Sequence, residues 1–490
     1  MNARFFSTVA AGAALAASLF LIGSPALAQN GGDHWVGTWA TAVVARAQGP
    51  QGAPPQGFGP PPQGQAPQAQ PPAAGGPPQA QPPQATTTPA GQPAQGGGRG
   101  QGGRGGAPPL NFNNQTLRQI VHTSIGGERV RVVLSNAFGT APLAVGSAHV
   151  ALRQMDAALA PKSDRALTFG GRPSTTIPAG AVIVSDPANL TVPAFADLAI
   201  DLYLPGDTAA PPAPAANAAA ATTTPVSPVS PVTTHAGALQ TSYVSTTGDF
   251  AGAADFPVMT MTQAWFFLAR VEVAAAEQVG AIVAFGDSIT DGTRSTANTN
   301  SRWPDLLARR LAAQNIKMGV LNEGIAGNRV LGDGAGVSAL ARFDRDVLVQ
   351  TGVTHVIMLE SINDIGIARD AASPSAEDLI AAHRQLIDRA HARGLKIYGA
   401  TLTPFEGAAY WTAQGEAKRT ALNEWIRTGK VYDGVVDFDA AVRDPAAPTK
   451  IQPQFNPGDN LHMNDAGYQA MANAIDLALF KAGTRTRGSR

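Results

Sequence analysis

A change in hydrophobic periodicity near residue 278 restricts the fold of this chain more than any other feature. Beyond it, short apolar runs alternate with stretches of helical periodicity. The apolar runs occupy residues 281–285, 318–322, 354–359, 396–402 and 434–438. Strands that are joined by helical crossovers lie parallel in one sheet. Residues 278–484 are therefore predicted to form an α/β domain with a parallel sheet, whose reactive groups collect at the carboxyl ends of the strands.

The helices between these runs are indicated by caps and apolar stripes. Ser375 and Asp378 form a capping box that opens a helix ending at Gly394. Another helix runs from Pro304 onward. The last predicted helix stops near Gly483, and its apolar stripe consists of Tyr468, Met471, Ile475 and Leu479.

The chain before residue 278 alternates with a period of two residues, which is typical of strands. The alternating apolar positions are Val130, Val132 and Leu134; Leu198, Ile200, Leu202 and Leu204; and Trp265, Phe267, Ala269, Val271 and Val273. Glycine, proline and asparagine separate these runs. The pattern predicts an all-β, sandwich-like domain over residues 33–275.

Two segments of biased composition lie within this β-domain. Residues 48–109 are almost wholly Pro, Gln, Gly and Ala, and residues 208–233 are rich in Ala, Pro, Thr and Ser. Both contain little to bury, so we predict a disordered insertion and a disordered loop. A strand-like run at 34–39 precedes the first segment, which places that segment inside the domain rather than at its boundary.

The N-terminal 28 residues have the pattern of a signal peptide. Arg4 is followed by an apolar stretch at 10–22 and by Ala-Leu-Ala at 26–28. We expect cleavage near Ala28 and a secreted or periplasmic protein with no stable membrane insertion afterwards. The chain has no cysteine, which excludes disulfides and a thiol nucleophile. Its formal net charge is zero, so no nucleic-acid partner is predicted.

The chemical centre of the sequence is a serine at the end of the first apolar run. Ser288 lies in Gly-Asp-Ser at 286–288, where a strand would deliver it to the open edge of the sheet. A hydroxyl is too weakly acidic to attack a carbonyl unaided. Asp459 and His462, three residues apart, supply a base and a carboxylate that orients it. The alternative interpretation of Ser288 is an ordinary helix N-cap.

Four short polar segments lie at the ends of predicted strands. They are Gly-Asp-Ser at 286–288, Asn-Glu-Gly-Ile-Ala-Gly-Asn at 322–328, Glu-Ser-Ile-Asn-Asp at 360–364 and Asp-Asn-Leu-His at 459–462. Together they resemble the four blocks of the SGNH (GDSL-type) esterase/lipase superfamily, over roughly residues 278–484. The resemblance implies a three-layer, flavodoxin-like hydrolase domain.

The N-terminal part is similar to the β-domain that precedes the catalytic domain in one exported branch of these hydrolases. Three stretches carry the similarity, at 35–39, 118–124 and 135–139.

Residue roles follow from the resemblance. Ser288 is the implied nucleophile, His462 the general base and Asp459 the carboxylate that orients the histidine. The implied oxyanion hole consists of the backbone N–H groups of Ser288 and Gly327 and the side-chain amide of Asn363.

Other polar residues near the blocks are assigned structural roles. These residues are Asp291, Asp364, Glu323 and Glu360. Ser361 stands where the superfamily has glycine, which puts the local backbone geometry in question more than the chemistry. No His, Asp or Glu cluster has metal-ligand spacing, so neither a metal nor another cofactor is predicted.

The loop at 403–416 follows the fourth predicted strand and is long for a connection of this kind. Its Phe405, Tyr410 and Trp411 could form a flat wall for a sugar ring or an acyl chain. The alternative is that Trp411 packs against the following helix, near Leu422 and Trp425.

These observations predict an exported serine esterase that hydrolyses short-chain carboxylic esters through an acyl-enzyme. The substrate would be a small-molecule or polysaccharide ester, and resemblance to carbohydrate esterases of the superfamily implies acetyl groups on polysaccharides. One alternative is a lipase, lysophospholipase or thioesterase, which a long apolar helix or lid would favour; the sequence shows none. An alternative of another class is a non-catalytic glycan-binding protein.

Overall fold

The computed structural model describes residues 33–46, 48, 111–209, 230–368 and 373–481. The predicted signal peptide, nearly all of the 48–109 segment and most of the 208–233 segment lie outside the described residues.

The described residues up to 275 fold into antiparallel β-structure, which confirms a β-rich N-terminal region. The strands are β1 (His34–Ala40), β2 (Val44–Arg46), β3 (Gln115–His122), β4 (Val130–Ser135), β5 (Leu143–Val145), β6 (Ser147–Met155), β7 (Ala158–Leu159), β8 (Arg165–Ala166), β9 (Thr175–Ile177), β10 (Val182–Val184), β11 (Asp197–Leu204), β12 (Val232–Ala236), β13 (Ser242–Thr247), β14 (Val258–Thr262), β15 (Ala264–Phe266) and β16 (Leu268–Ala275). They form three main sheets with the strand orders β1-β16-β4-β10, β14-β13-β3-β11-β6-β7 with β8 beside β6, and β15-β12-β2, while β5 pairs with β9.

The alternating run from Trp265 to Val273 is divided between two strands. Phe267 has a left-handed φ of +56° and separates β15 from β16. Its N–H donates to the carbonyl of Thr233 at 2.9 Å, and its own carbonyl accepts from the N–H of Ser135 at 2.8 Å. The residue thus bonds to two other segments instead of continuing one ladder. Periodicity alone does not reveal this break, because apolar residues alternate on both sides of it.

The second half of the chain contains the predicted parallel sheet. Its strands are β17 (Gly280–Gly286), β18 (Met318–Gly324), β19 (Val353–Leu359), β20 (Lys396–Ala400) and β21 (Gly434–Val436). They lie in the order β18-β17-β19-β20-β21, and every pairing is parallel. All five predicted apolar runs fall on these strands, which confirms the parallel sheet. A short hairpin, β22 (Arg443–Asp444) and β23 (Ala447–Ile451), follows the last strand.

Helices connect the parallel strands. The helices of the described ranges are α1 (Ser288–Asp291), α2 (Trp303–Ala313), α3 (Ala339–Phe343), α4 (Ile362–Gly366), α5 (Ala376–Ala392), α6 (Ala413–Thr428), α7 (Phe438–Val442) and α8 (Asp465–Ala474). The predicted capping box of Ser375 and Asp378 is present at the start of α5. Of these helices, none combines the length and the apolar composition that a segment crossing a lipid bilayer requires.

The prediction of a single last helix reaching Gly483 is wrong, because α8 ends at Ala474. Ile475 has an extended backbone with ψ of 118°, and Asp476 then caps a separate 3₁₀ turn, Leu477–Phe480. The side chain of Arg310 donates to the carbonyl of Ile475 at 2.9 Å, which satisfies an acceptor at the break. The apolar stripe continues across this break, so the sequence pattern does not show it.

The two halves of the chain share one packed interface. β1 lies beside the edge strand β18, with a parallel bridge between Thr41 and Asn322. The N–H of Gly37 donates to the carbonyl of Thr351 at 2.9 Å. A Cβ atom at Gly319 would lie 2.1 Å from the carbonyl oxygen of Gly37, so only glycine permits this approach of the two backbones.

A buried arginine joins the ends of the first two parallel strands. Arg342 is 1 % exposed. It donates to the carbonyls of Gly286 and Glu323, each at 2.8 Å, and to Oδ1 of Asn328 at 2.9 Å. Its other side-chain partner within 3.0 Å is Asp346. The guanidinium therefore fixes the points at which the chain leaves β17 and β18.

Buried carboxyl groups surround this arginine. Oε1 of Glu360, which directly follows β19, lies 3.5 Å from the Arg342 guanidinium. Burial, and then the charge of Asp287, raise the pKa of Glu360 well above its usual range despite Arg342. Arg342 and Arg345, which donates to Asp346 at 2.6 Å, are cations that face these carboxyl groups.

We predict that Arg342→Met destabilises the protein by about 3–5 kcal/mol, because it removes buried charge-assisted hydrogen bonds to two strand-end carbonyls and the cation that faces Glu360 and Asp346. Urea unfolding monitored by tryptophan fluorescence measures the change. The control is Arg309→Met on the exposed face of α2, which should stay within about 0.5 kcal/mol of wild type. A similar stability for both variants would contradict the structural role of Arg342.

Candidate active site

The turn after β17 presents Ser288. Oδ1 of Asp287 accepts the N–H of Ile289 at 2.9 Å and so caps the short helix α1. A Cβ atom at Gly286 would lie 2.4 Å from the carbonyl oxygen of Leu359, so a larger residue would not fit at this strand end. Ser288 is the first residue of α1, where a backbone N–H has no partner within the helix and can face a ligand.

The structure brings Ser288, His462 and Asp459 into one hydrogen-bonded chain, although Ser288 and His462 are 174 residues apart. Nε2 of His462 lies 2.9 Å from Oγ of Ser288, and Nδ1 lies 2.9 Å from Oδ2 of Asp459. Because the carboxylate only accepts, Nδ1 carries the proton and Nε2 can accept the serine proton. The backbone N–H of His462 also donates to Oδ1 of Asp459 at 3.0 Å, which fixes the loop.

Asp459 has a further partner that the sequence did not indicate. Nε of Arg294 donates to Oδ2 of Asp459 at 2.9 Å, the same oxygen that His462 contacts. Burial raises the pKa of Asp459, but hydrogen bonds from His462 and Arg294 hold it below its usual range. Asp459 therefore remains a carboxylate. The sequence gives little indication that Arg294 contacts Asp459. Arg294 lies two residues after Gly292, the glycine at which α1 ends.

The second and third sequence blocks meet beside the serine. The N–H of Ile325 donates to the carbonyl of Gly286 at 3.0 Å. Nδ2 of Asn363 donates to the carbonyl of Asn328 at 2.9 Å, which uses one of its two amide hydrogens. Gly327 has φ of +80°, and within the described ranges its N–H donates to no other group. Gly327 and Asn363 thus each retain a donor hydrogen in the loops that leave β18 and β19, the strands on either side of β17.

Tyr410 contacts the amide of Asn363. Its hydroxyl donates to Oδ1 of Asn363 at 3.3 Å, which fixes the amide so that Nδ2 remains the donor. Burial, and then the charges of Asp287 and Asp459, raise the pKa of Tyr410, so the hydroxyl keeps its proton. The geometry makes Tyr410 a residue that orients Asn363; substrate contact by its ring stays a prediction.

The prediction that Phe405 forms part of a substrate wall is wrong, because its side chain is 0 % exposed and packs in the hydrophobic core. Trp411 is partly buried against the same core. Its indole N–H has no hydrogen-bond partner among the described residues. The burial agrees with the packing alternative, and a wall formed by Trp411 at the substrate stays a prediction.

Ser361 keeps the backbone conformation that glycine adopts easily. Its φ is +105°, which strains a residue with a Cβ. Its Oγ lies 2.9 Å from Nε2 of the buried His383, whose Nδ1 lies 2.7 Å from the hydroxyl of Tyr432. Burial lowers the pKa of His383 to about 3, so this histidine is neutral. The hydrogen bond compensates part of the backbone strain beside Asn363.

The acidic residues around the site have structural partners. Asp364 accepts the backbone N–H groups of Val330 at 2.8 Å and Leu331 at 3.0 Å, which holds the loop of the second block. Oε1 of Glu323 accepts from Gln350 at 2.8 Å. Within the described ranges, no group of three or more His, Cys, Asp or Glu residues could hold a metal ion.

Comparison with known families identifies this region. Residues 284–470 match the model of the GDSL-like Lipase/Acylhydrolase family. This region is therefore a GDSL-like lipase/acylhydrolase domain, and the protein is an ester-hydrolysing enzyme. A comparison with curated proteins gave no match.

Several solved structures are similar to part of the chain. A GDSL-like lipase from Bacteroides thetaiotaomicron is 20% identical with a TM-score of 0.32, over 43% of this chain and 93% of that one. A lipase/acylhydrolase from Enterococcus faecalis is 20% identical with a TM-score of 0.32, over 40% and 92%. An acetyl xylan esterase from Geobacillus stearothermophilus is 21% identical with a TM-score of 0.32, over 41% and 95%.

We predict that Tyr410→Phe lowers kcat for p-nitrophenyl acetate by about five- to tenfold with KM nearly unchanged. The variant loses one hydrogen bond that orients Asn363, which the family resemblance assigns as an oxyanion donor, a contact made mainly in the transition state. The matched control is Tyr203→Phe, which breaks a 2.7 Å contact from a tyrosine hydroxyl to Oδ1 of Asn114 in the β-rich region. A change in KM alone would instead assign Tyr410 to substrate binding.

Ser361→Gly and Ser361→Ala separate backbone strain from the hydrogen bond. Both lose the contact with His383, but only glycine relieves the strain at φ of +105°. We expect Ser361→Ala to be destabilised by about 1–3 kcal/mol and Ser361→Gly to be about 1 kcal/mol more stable than Ser361→Ala. Urea unfolding gives both values. Equal stability of the two variants would show that the backbone at this position is unstrained.

Proposed function

We propose that this protein is an exported serine esterase that hydrolyses short-chain carboxylic esters, including acetyl esters on polysaccharides, through an acyl-enzyme on Ser288. The observation that carries the proposal is the chain of two 2.9 Å contacts from Ser288 through His462 to Asp459. The free donors of Gly327 and Asn363 beside it support acyl transfer as the reaction.

The reaction proceeds in two halves. His462 accepts the proton of Ser288 Oγ as that oxygen attacks the ester carbonyl, and Asp459 stabilises the imidazolium that forms. The N–H groups of Ser288 and Gly327 and the amide of Asn363 donate to the oxyanion. The tetrahedral intermediate releases the alcohol, which takes its proton from His462. A water molecule, deprotonated by His462, then attacks the acyl-enzyme, releases the carboxylic acid and restores Ser288.

The surroundings of the site favour a short acyl chain. Among the described residues of the loops of the second and third blocks, the exposed large apolar side chains are Leu331 and Ile367, 39 % and 45 % exposed. A long acyl chain needs a more extensive apolar groove. Arg294, 46 % exposed at its side chain, adds a polar, charged rim beside Asp459, which suits a hydrophilic alcohol such as a sugar.

Two finer aspects of the architecture belong to this proposal. The strand order with the second strand at the edge supports a three-layer, flavodoxin-like domain, and the helices pack in separate groups, with α2 against α8 and α5 against α6. The antiparallel sheets around a shared apolar core support a sandwich-like β-domain. Export is supported by the signal-like pattern of Arg4, 10–22 and 26–28.

Ser288→Ala and His462→Ala test the proposed nucleophile and base. Each should lower kcat/KM for p-nitrophenyl acetate by about 10³-fold or more, because each removes a member of one proton-transfer unit. The double variant should be hardly worse than either single variant. Unchanged near-ultraviolet circular dichroism controls for folding. Full activity of Ser288→Ala, or additive losses in the double variant, would contradict the assignment.

The substrate class is tested by p-nitrophenyl esters from acetate to palmitate, together with acetylated xylan, pectin and xyloglucan. We expect kcat/KM to be greatest for acetate and acetate to be released from at least one glycan. A maximum at long acyl chains would favour a lipase, and preference for acyl thioesters would favour a thioesterase.

A further inference from the structure

We propose that His235 of the β-rich region is a positioning residue for the turn that carries Ser288, so that the catalytic unit of this enzyme extends into the β-rich region. The proposal rests on Ser288 being the nucleophile. It adds a residue from outside the matched family region of 284–470.

His235 links both halves of the chain. It lies on β12 and is 4 % exposed. Its Nδ1 lies 2.8 Å from the carbonyl oxygen of Ala42, just after β1, and its Nε2 lies 3.1 Å from Oδ1 of Asp291. Asp291 is also 4 % exposed and is the last residue of α1, three positions after Ser288. One imidazole thus joins the β-rich region to the helical turn of the nucleophile.

The ring acts as a cation. A carbonyl only accepts, so Nδ1 carries a proton, and the carboxylate of Asp291 takes a second proton-bearing nitrogen as donor. Burial disfavours the charged form, but the charge and hydrogen bond of Asp291 and the carbonyl of Ala42 outweigh it, and the pKa of His235 is raised overall. The buried pair His235–Asp291 is therefore a charge-assisted contact between the two regions.

The turn needs such a contact because α1 has only four residues. A helix of this length is not stable by itself. Its other fixed points are the caps at its two ends and the side chain of Asn322, whose Nδ2 donates to the carbonyl of Thr290 at 2.9 Å. Loss of His235 would leave Asp291 as a buried carboxylate with one contact fewer, and α1 would relax around Ser288.

Other charged groups face this pair. Arg302, 6 % exposed, lies close enough to oppose protonation of His235 and is itself held by Asp305 at 2.6 Å. His122 lines the same small cavity between the two regions. The aromatic neighbour is Trp265, with ring centroids 5.6 Å apart. Because Arg302 forms its ion pair with Asp305, the direct hydrogen-bond partner of Asp291 is His235.

The pH dependence has a definite sign. Because the pKa of His235 is raised in the folded state, its stabilising charge is fully present below the ordinary pKa of histidine and is lost as pH rises through the folded value. Wild-type acylation should therefore decline at alkaline pH as the contact with Asp291 weakens.

The test is the burst rate of p-nitrophenolate release, which reports acylation of Ser288, measured across pH for wild type and His235→Gln. We expect the variant to acylate about 10–100-fold more slowly at neutral pH, with KM changed less than about threefold, and to lack the alkaline decline. The matched control is His149→Gln, which breaks a 3.0 Å histidine–aspartate pair with Asp164 inside the β-rich region. It should leave the burst rate and its pH profile unchanged.

A wild-type burst rate and pH profile in His235→Gln, even with a lower melting temperature, would overturn the positioning role. If His235→Gln does not fold, the same assay is made on His235→Gln/Asp291→Asn: a slower burst without the alkaline decline supports the positioning role, and a wild-type burst rate and pH profile overturn it. Full activity in Ser288→Ala would overturn the proposed function instead, so the two failures are distinguishable.

Discussion

The geometry of this site depends on the hydrogen bonds of one buried residue, Arg342. Its guanidinium bonds to the strand ends at Gly286 and Glu323 and to Asn328 in the loop after β18, all within 2.9 Å. The same group lies 4.0 Å from the ring centroid of Phe285, in the strand that leads to Ser288. A parallel sheet brings its strand ends to one edge, but it does not fix the loops that leave them. A buried cation with five donors fixes them here, and the acidic interior keeps that cation in place.

The remaining contacts act on the proposed reacting groups one by one. Asp459 and Arg294 restrain the His462 loop, Tyr410 restrains the amide of Asn363, and Asp287 caps the turn of Ser288. The restraints come from three parts of the chain: the segment around α1, the loop that holds Tyr410, and the loop of Asp459. An active site assembled in this way is preorganised, because each reacting group has little freedom left to lose when the transition state forms.

The sequence predicted what depends on local pattern. Five apolar runs became five parallel strands, and Ser288 and His462 were brought together as expected. The end of α8 and the break at Phe267 were not predicted, because apolar periodicity continues through both. Partners of Arg342 and His235 were not predicted either, since a pair such as His235 and Asp291 is formed by tertiary packing across 56 positions and has no sequence spacing of its own.

The central claim is that Ser288 becomes covalently acylated during turnover, and acid quenching with peptide mass spectrometry tests it most directly. The enzyme is mixed with p-nitrophenyl acetate, quenched within milliseconds and digested. The account predicts an acetyl group on the peptide that contains Ser288, present during turnover and absent from an unreacted sample. Acetylation of another residue, or continuing hydrolysis with no acetylated Ser288 peptide at any quench time, would contradict it.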